Sequence, residues 1–146
     1  MRISTDNVPG LGPCGVRNIA RVASGHSRVF AYLFAHPTQS SKVPLPGDGP
    51  GSVTVGHATE IAYVFGDVWS LDAGEEADLA KSVAGYVVNF AKHGDPNGPG
   101  LPRWHAYDED TDVVQRWDVA SAGGIVSQTG LRKDACDFQQ EHRMPL

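Results

Sequence analysis

In the stretch VGHATEIAYVFGDVW, residues 55–69, His57 and Glu60 stand three apart in front of an apolar run. An imidazole titrates near neutrality and can move protons, and an imidazole paired with a carboxylate can also ligate a metal. Zinc normally takes roughly four protein ligands. The other histidines, His26, His36, His93, His105 and His142, follow no ligand spacing, so no metal is expected. Two readings remain: a histidine without a role, or a general base, and a base requires a nucleophile elsewhere.

The elements around this stretch follow from periodicity. Residues 1–13 are rich in Gly and Pro and read as irregular. VRNIARVAS, 16–24, has the apolar spacing of a short amphipathic helix stopped by Gly25. SRVFAYLFAHP is apolar on both alternating faces, as in a central strand covered on both sides. HPTQSSKVPLPGDGPGS, 36–52, is a polar loop. EEADLAKSVAGYVVNFAK, 75–92, forms a helix with an apolar stripe through Leu79, Val83, Tyr86/Val87 and Phe90. Asp72 and Glu75 have capping-box spacing, Lys92 and His93 suit the last turn, and Gly94 with Pro96 ends it. RWHAYD and DVVQRWDVA read as short strands joined by a turn at EDTD, and GLRKDACDFQQEH as a closing helix. No linker separates two domains.

Length and composition set the bounds. At 146 residues, 40% apolar and 20% charged, the chain has the makings of one globular domain. A net charge of -5 and a pI near 5.6 argue against nucleic acid as a partner. No apolar stretch approaches the roughly 20 residues that span a bilayer, so no membrane partner is expected. MRISTDNVPGLGPCG lacks the apolar core of a secretory signal. A complete chain is therefore expected in the cytoplasm, whereas the tail of a longer one would carry no such information. Cys14 and Cys136 are either two unrelated thiols or one disulfide closing a loop of 122 positions.

GHATEIAYVFG, the acidic helix after it, NFAKHGDPNGPGLPRWHAYD and LRKDACDF occur in the order of a known family. Over about residues 14–138 the chain resembles the C-terminal portion of the type-B carboxylesterases, the cholinesterase-like and p-nitrobenzyl-esterase-like members of the α/β-hydrolase fold. The family pattern is approximately His-Gly/Ala-x-Glu-Ile/Leu-x-(Phe/Tyr)-Val-Phe-Gly. The resemblance implies that residues 1–146 are a C-terminal segment of such a domain: the last sheet strand, the histidine loop, the long helix, and C-terminal strands and helix. It would be α/β in class and incomplete on its own.

The resemblance carries the general base of a serine–histidine–acid triad onto His57, with Glu60 as a support of the loop, not the triad acid. It implies a small-molecule carboxylic ester as substrate, an acyl-enzyme mechanism and no cofactor. Cys14 and Cys136 fall where some relatives have a disulfide. Gln139 stands where many members have Trp, and the Cys14 segment matches loosely.

The nucleophile elbow of this fold is Gly-x-Ser-x-Gly at a strand-to-helix turn, upstream of the histidine. The sequence contains none. GHSRV, 25–29, lacks the last glycine and leads into a strand, and the glycines of AGG, 122–124, follow His57 where oxyanion glycines should precede it. The chain alone is thus expected to be inactive, with an N-terminal half as the missing partner. A non-catalytic esterase-like binding module and half of a split enzyme are the alternatives.

Overall fold

The computed structural model describes residues 12–39, 55–56, 58–66, 71 and 73–142. In chain order these form α1 (Pro13–Ser24), β1 (Tyr32–Phe34), α2 (Ile61–Phe65), α3 (Glu75–His93), β2 (Val113–Trp117), a 3-10 turn (Ala120–Ala122), β3 (Val126–Thr129) and α4 (Lys133–Glu141). The architecture is mixed α/β around a three-stranded sheet of order β1-β2-β3.

Several elements differ from the sequence expectations. α1 starts at Pro13, three residues early, because proline at the first helical turn gives up an N–H that no helix would use. The expected central strand shrinks to three residues. β1 pairs in parallel with β2, Tyr32 opposite Gln115, Leu33 opposite Arg116 and Phe34 opposite Trp117. Among the described residues it has that one neighbour and lies at the edge of the three strands, and Tyr32 stays 42% exposed.

RWHAYD is irregular, not a strand. Its Trp104 is claimed by a side chain: the backbone N–H donates to Asn97 Oδ1 at 2.7 Å and the carbonyl accepts from Asn97 Nδ2 at 2.9 Å. A backbone held this way has no groups left for a ladder. Asp72 lies outside the described residues, and α3 begins from Gly74 without a side-chain cap.

The chain divides into two compact units that interleave along the sequence. Met1–Ala31, His105–Val114 and Gln128–Leu146 form one, Tyr32–Trp104 and Gln115–Ser127 the other. Each is assembled from separated segments, so no linker in the sequence could mark the division.

In the first unit, Cys14 of α1 and Cys136 of α4 form a disulfide, with their Cα atoms 5.2 Å apart. Arg17, one turn further along α1, donates from Nε to Asp112 at 2.6 Å and from Nη1 to Asp137 at 2.7 Å. The Tyr107 hydroxyl donates to the second oxygen of Asp112 at 2.7 Å. Burial disfavours the Arg17 cation, but these two carboxylates outweigh it and raise its pKa. The buried Asp112 carboxylate is thereby fully partnered, as an interior charge requires.

The second unit is built on α3 and an aromatic cluster. Glu75, Glu76 and Asp78 in the first turn and Lys92 and His93 in the last match the helix dipole, and Gly94 closes the helix at φ 67°. Leu79, Ala80, Val83 and Tyr86 are buried, while Phe90, the last member of the expected stripe, stays half exposed. Tyr32 stacks on Trp117 with ring centroids 4.1 Å apart, and Trp104 meets the edges of Trp117 and Tyr86 at 5.1 and 5.4 Å. α2 packs on α3.

Candidate active site

His57 lies outside the described residues, but the backbone on both sides of it is described. Gly56 and Thr59, which flank it in sequence, are bonded to each other. The Thr59 hydroxyl donates to the Gly56 carbonyl at 2.8 Å, and Thr59 is almost wholly buried. Ala58 takes φ 67°, a left-handed value that L-residues other than Asn and Asp rarely adopt. A glycine would adopt it without strain, which gives the Gly/Ala alternation of the family pattern a physical cause.

Glu60 is half-buried and ends the turn. Its carbonyl accepts from the N–H groups of Tyr63 and Val64, both at 2.9 Å, so it heads α2. α2 itself escaped the sequence reading because five residues are too few to show a helical period.

A buried polar network lies at the carboxyl ends of the parallel strands β1 and β2. His36, two residues past β1, places Nδ1 3.1 Å from Asp118 Oδ1 and Nε2 2.9 Å from Glu76 Oε1. Asp118 directly follows β2, and its other oxygen accepts from Arg116. Glu76, in the first turn of α3, also accepts from the Gln39 backbone N–H at 2.6 Å. The Thr38 and Tyr63 hydroxyls are 3.0 Å apart. His36, Thr38, Tyr63 and Asp118 are all buried. Burial, more than any neighbouring charge, pushes the Tyr63 phenol well above its ordinary pKa, so it stays protonated and can donate.

None of these residues belongs to a motif, and His36 carries no ligand spacing. The available signal was positional: each parallel strand runs straight into a polar side chain, His36 after FA and Asp118 after RW. Ligand and catalytic groups of open α/β sheets gather at this edge. Only the strand register brings the two side chains together.

Away from this network, the Ser27 and Ser82 hydroxyls bond carbonyls and the Ser121 hydroxyl bonds a carboxylate, unlike the serine–histidine arrangement of a triad. Ser27, the central serine of GHSRV, sits in the turn after α1 with an exposed hydroxyl that donates to the Ala23 carbonyl at 3.4 Å. A cavity of about 180 Å³ is lined by Glu75, Asp78, Leu79, Ser82 and Ile125, among others. Its Ser82 hydroxyl donates to the Asp78 carbonyl at 3.0 Å, and its Glu75 carboxylate accepts from the backbone and hydroxyl of Ser121. No group of three or more His, Cys, Asp or Glu side chains placed to hold a metal ion occurs among the described residues.

Comparison with known proteins places the chain. The family model described as "Carboxylesterase family" matches residues 11–139. An acylcarnitine hydrolase of Mus musculus is 34% identical over 116 residues, covering 77% of this chain and 20% of that protein. A medium-chain fatty acyl-CoA hydrolase precursor of Anas platyrhynchos is 38% identical over 109 residues, 70% of this chain and 19% of its own length. Carboxylesterase 5A of Felis catus is 36% identical over 95 residues, 60% of this chain and 17% of its own. The chain spans about a fifth of the length of these curated relatives. It belongs to the carboxylesterase family.

Proposed function

We propose that this chain supplies the general base, His57, and the turn that carries it, to the hydrolysis of a carboxylic ester. The observation that supports this best is GHATEIAYVFG in a carboxylesterase-family chain, with Gly56 and Thr59 bonded to each other and Ala58 left-handed. In this reading His57 takes the proton of a serine hydroxyl as the serine attacks the ester carbonyl. It then returns that proton to the departing alkoxide, and repeats both steps with water to release the acid. The sequence has no Gly-x-Ser-x-Gly elbow, so in this reading the nucleophile comes from polypeptide outside it, and we place the triad acid there too, because in this fold it stands well upstream of the histidine. The segment corresponds to the last part of an α/β-hydrolase domain.

The relatives' names, an acylcarnitine hydrolase and a fatty acyl-CoA hydrolase, point to esters or thioesters of fatty acids as the substrate class. The chemistry on His57 is the same for both, because each leaving group departs as an anion needing a proton.

One observation supports a partner polypeptide. Val16, Ile19 and Val22 repeat every three residues along α1 and are 47, 57 and 63% exposed, with Phe138 of the same unit 56% exposed. An apolar helical stripe left open in this way marks a surface that another element covers. A non-catalytic binding module would show the same stripe but would have no use for His57.

The isolated chain tests where the nucleophile lies. It is expected to hydrolyse p-nitrophenyl butyrate no faster than the same concentration of free histidine. Turnover that disappears in a folded His57→Ala variant would overturn the assignment of the nucleophile to another polypeptide.

A further inference from the structure

We infer that His36 is a positioning residue: as a doubly protonated ring it clamps together the segments that hold the motif histidine's turn. Its functional consequence rests on the reading of His57 as general base. The clamp itself rests on geometry alone.

Both ring nitrogens of His36 face carboxylate oxygens, Asp118 at 3.1 Å and Glu76 at 2.9 Å. A neutral imidazole has one N–H and one lone pair. It could satisfy one of these acids only, and would set its lone pair against the other in a site where His36 is 6% exposed. The doubly protonated ring donates to both. Among the described residues, the charged groups that face it fit this state. Glu76 comes from α3, Asp118 follows β2, and Arg116 of β2 pairs with the second oxygen of Asp118. Tyr63 of α2 presents its ring edge-on at 6.2 Å. Two carboxylates then meet two cations, whereas a neutral ring leaves a buried excess of negative charge.

The clamp reaches the catalytic segment in two steps. His36 and the Gln39 N–H both hold Glu76 Oε1, which fixes residues 36–39 against the start of α3. Thr38, inside that span, bonds the Tyr63 hydroxyl and so holds α2. α2 grows directly from the turn at 58–60 that follows His57. A general base acts when neutral, whereas this clamp holds when charged.

The test is ring-nitrogen NMR on the labelled chain, with His36 assigned by its loss in His36→Gln, followed across about pH 6 to 9. Amide exchange at Tyr63 and Val64 is measured in parallel. Both His36 nitrogens are expected to carry protons at neutral pH. Protection at the two amides should fall about tenfold in the same step that removes the second proton. Glu76→Gln keeps an acceptor but removes a charge, so both events should move together to lower pH, which serves if His36→Gln does not fold. A single-proton tautomer at neutral pH, or protection that does not follow the His36 titration, overturns the inference. No readout uses ester hydrolysis, so either result leaves the role of His57 to its own test.

Discussion

The Thr38 and Tyr63 hydroxyls meet at 3.0 Å with both side chains buried, and their contact joins the segment after β1 to the helix after the motif turn. Removing either hydroxyl takes a buried bond from the other, although the Tyr63 phenol also interacts with Glu76. Thr38→Val and Tyr63→Phe should each cost about 1–3 kcal/mol. The double variant should cost less than the sum, because the bond the two share is lost only once. Urea midpoints of the four proteins measure the coupling, and strict additivity would show that the pair is not bonded in solution.

Ala58 at φ 67° makes a sharper prediction about the motif. Ala58→Gly relieves a left-handed penalty of about 1 kcal/mol and should not lower stability. Ala58→Val adds a β-branch where the backbone tolerates it least and should destabilise by about 2 kcal/mol or more. Equal midpoints for the two variants would mean that the turn is not held in this conformation.

The disulfide between Cys14 and Cys136 closes a loop of 122 positions. On the chain-entropy model such a link stabilises by roughly 4–5 kcal/mol. Paired replacement of the two cysteines by serine should lower the unfolding free energy by about that amount. A loss under about 1 kcal/mol would show that the denatured chain gains little freedom from the cut.

Tyrosines set the alkaline limit. Burial pushes Tyr86 up to about 12 from an ordinary value of 10.0, against a smaller opposing effect from Gln115. Tyr63 and Tyr107 are also raised, in each case chiefly by burial. A folded pKa above the unfolded one means that the folded chain keeps its proton longer. The stabilisation is complete below pH 10 and disappears as pH rises towards 12. Urea midpoints should fall across that window in step with tyrosinate absorbance, and Tyr86→Phe should make the fall shallower. Midpoints that stay flat would mean that Tyr86 is reached by water in the folded chain.

The long helix, its acidic start and its Gly94 stop were readable because each depends on local chemistry repeated over many residues. The family was readable because GHATEIAYVFG and NFAKHGDPNGPG are chemically unusual strings. The polar network was not, since His36, Glu76 and Asp118 become neighbours only through the register of β1 on β2 and the packing of α3. The strand expected at RWHAYD failed for a related reason: Asn97, seven residues away from Trp104, bonds its backbone first. The exchange of segments between two units is likewise a property of tertiary contacts that no local window contains.

The role of His57 is tested most directly by exchange into a complete relative. The part of this chain that matches the Anas platyrhynchos fatty acyl-CoA hydrolase replaces its counterpart there, and hydrolysis of p-nitrophenyl butyrate is measured with and without His57→Ala. The chimera should turn over the ester, and His57→Ala should cut kcat by about 10⁴-fold with the fold intact. A His57→Ala chimera as fast as its parent would contradict the assignment of the general base to this chain.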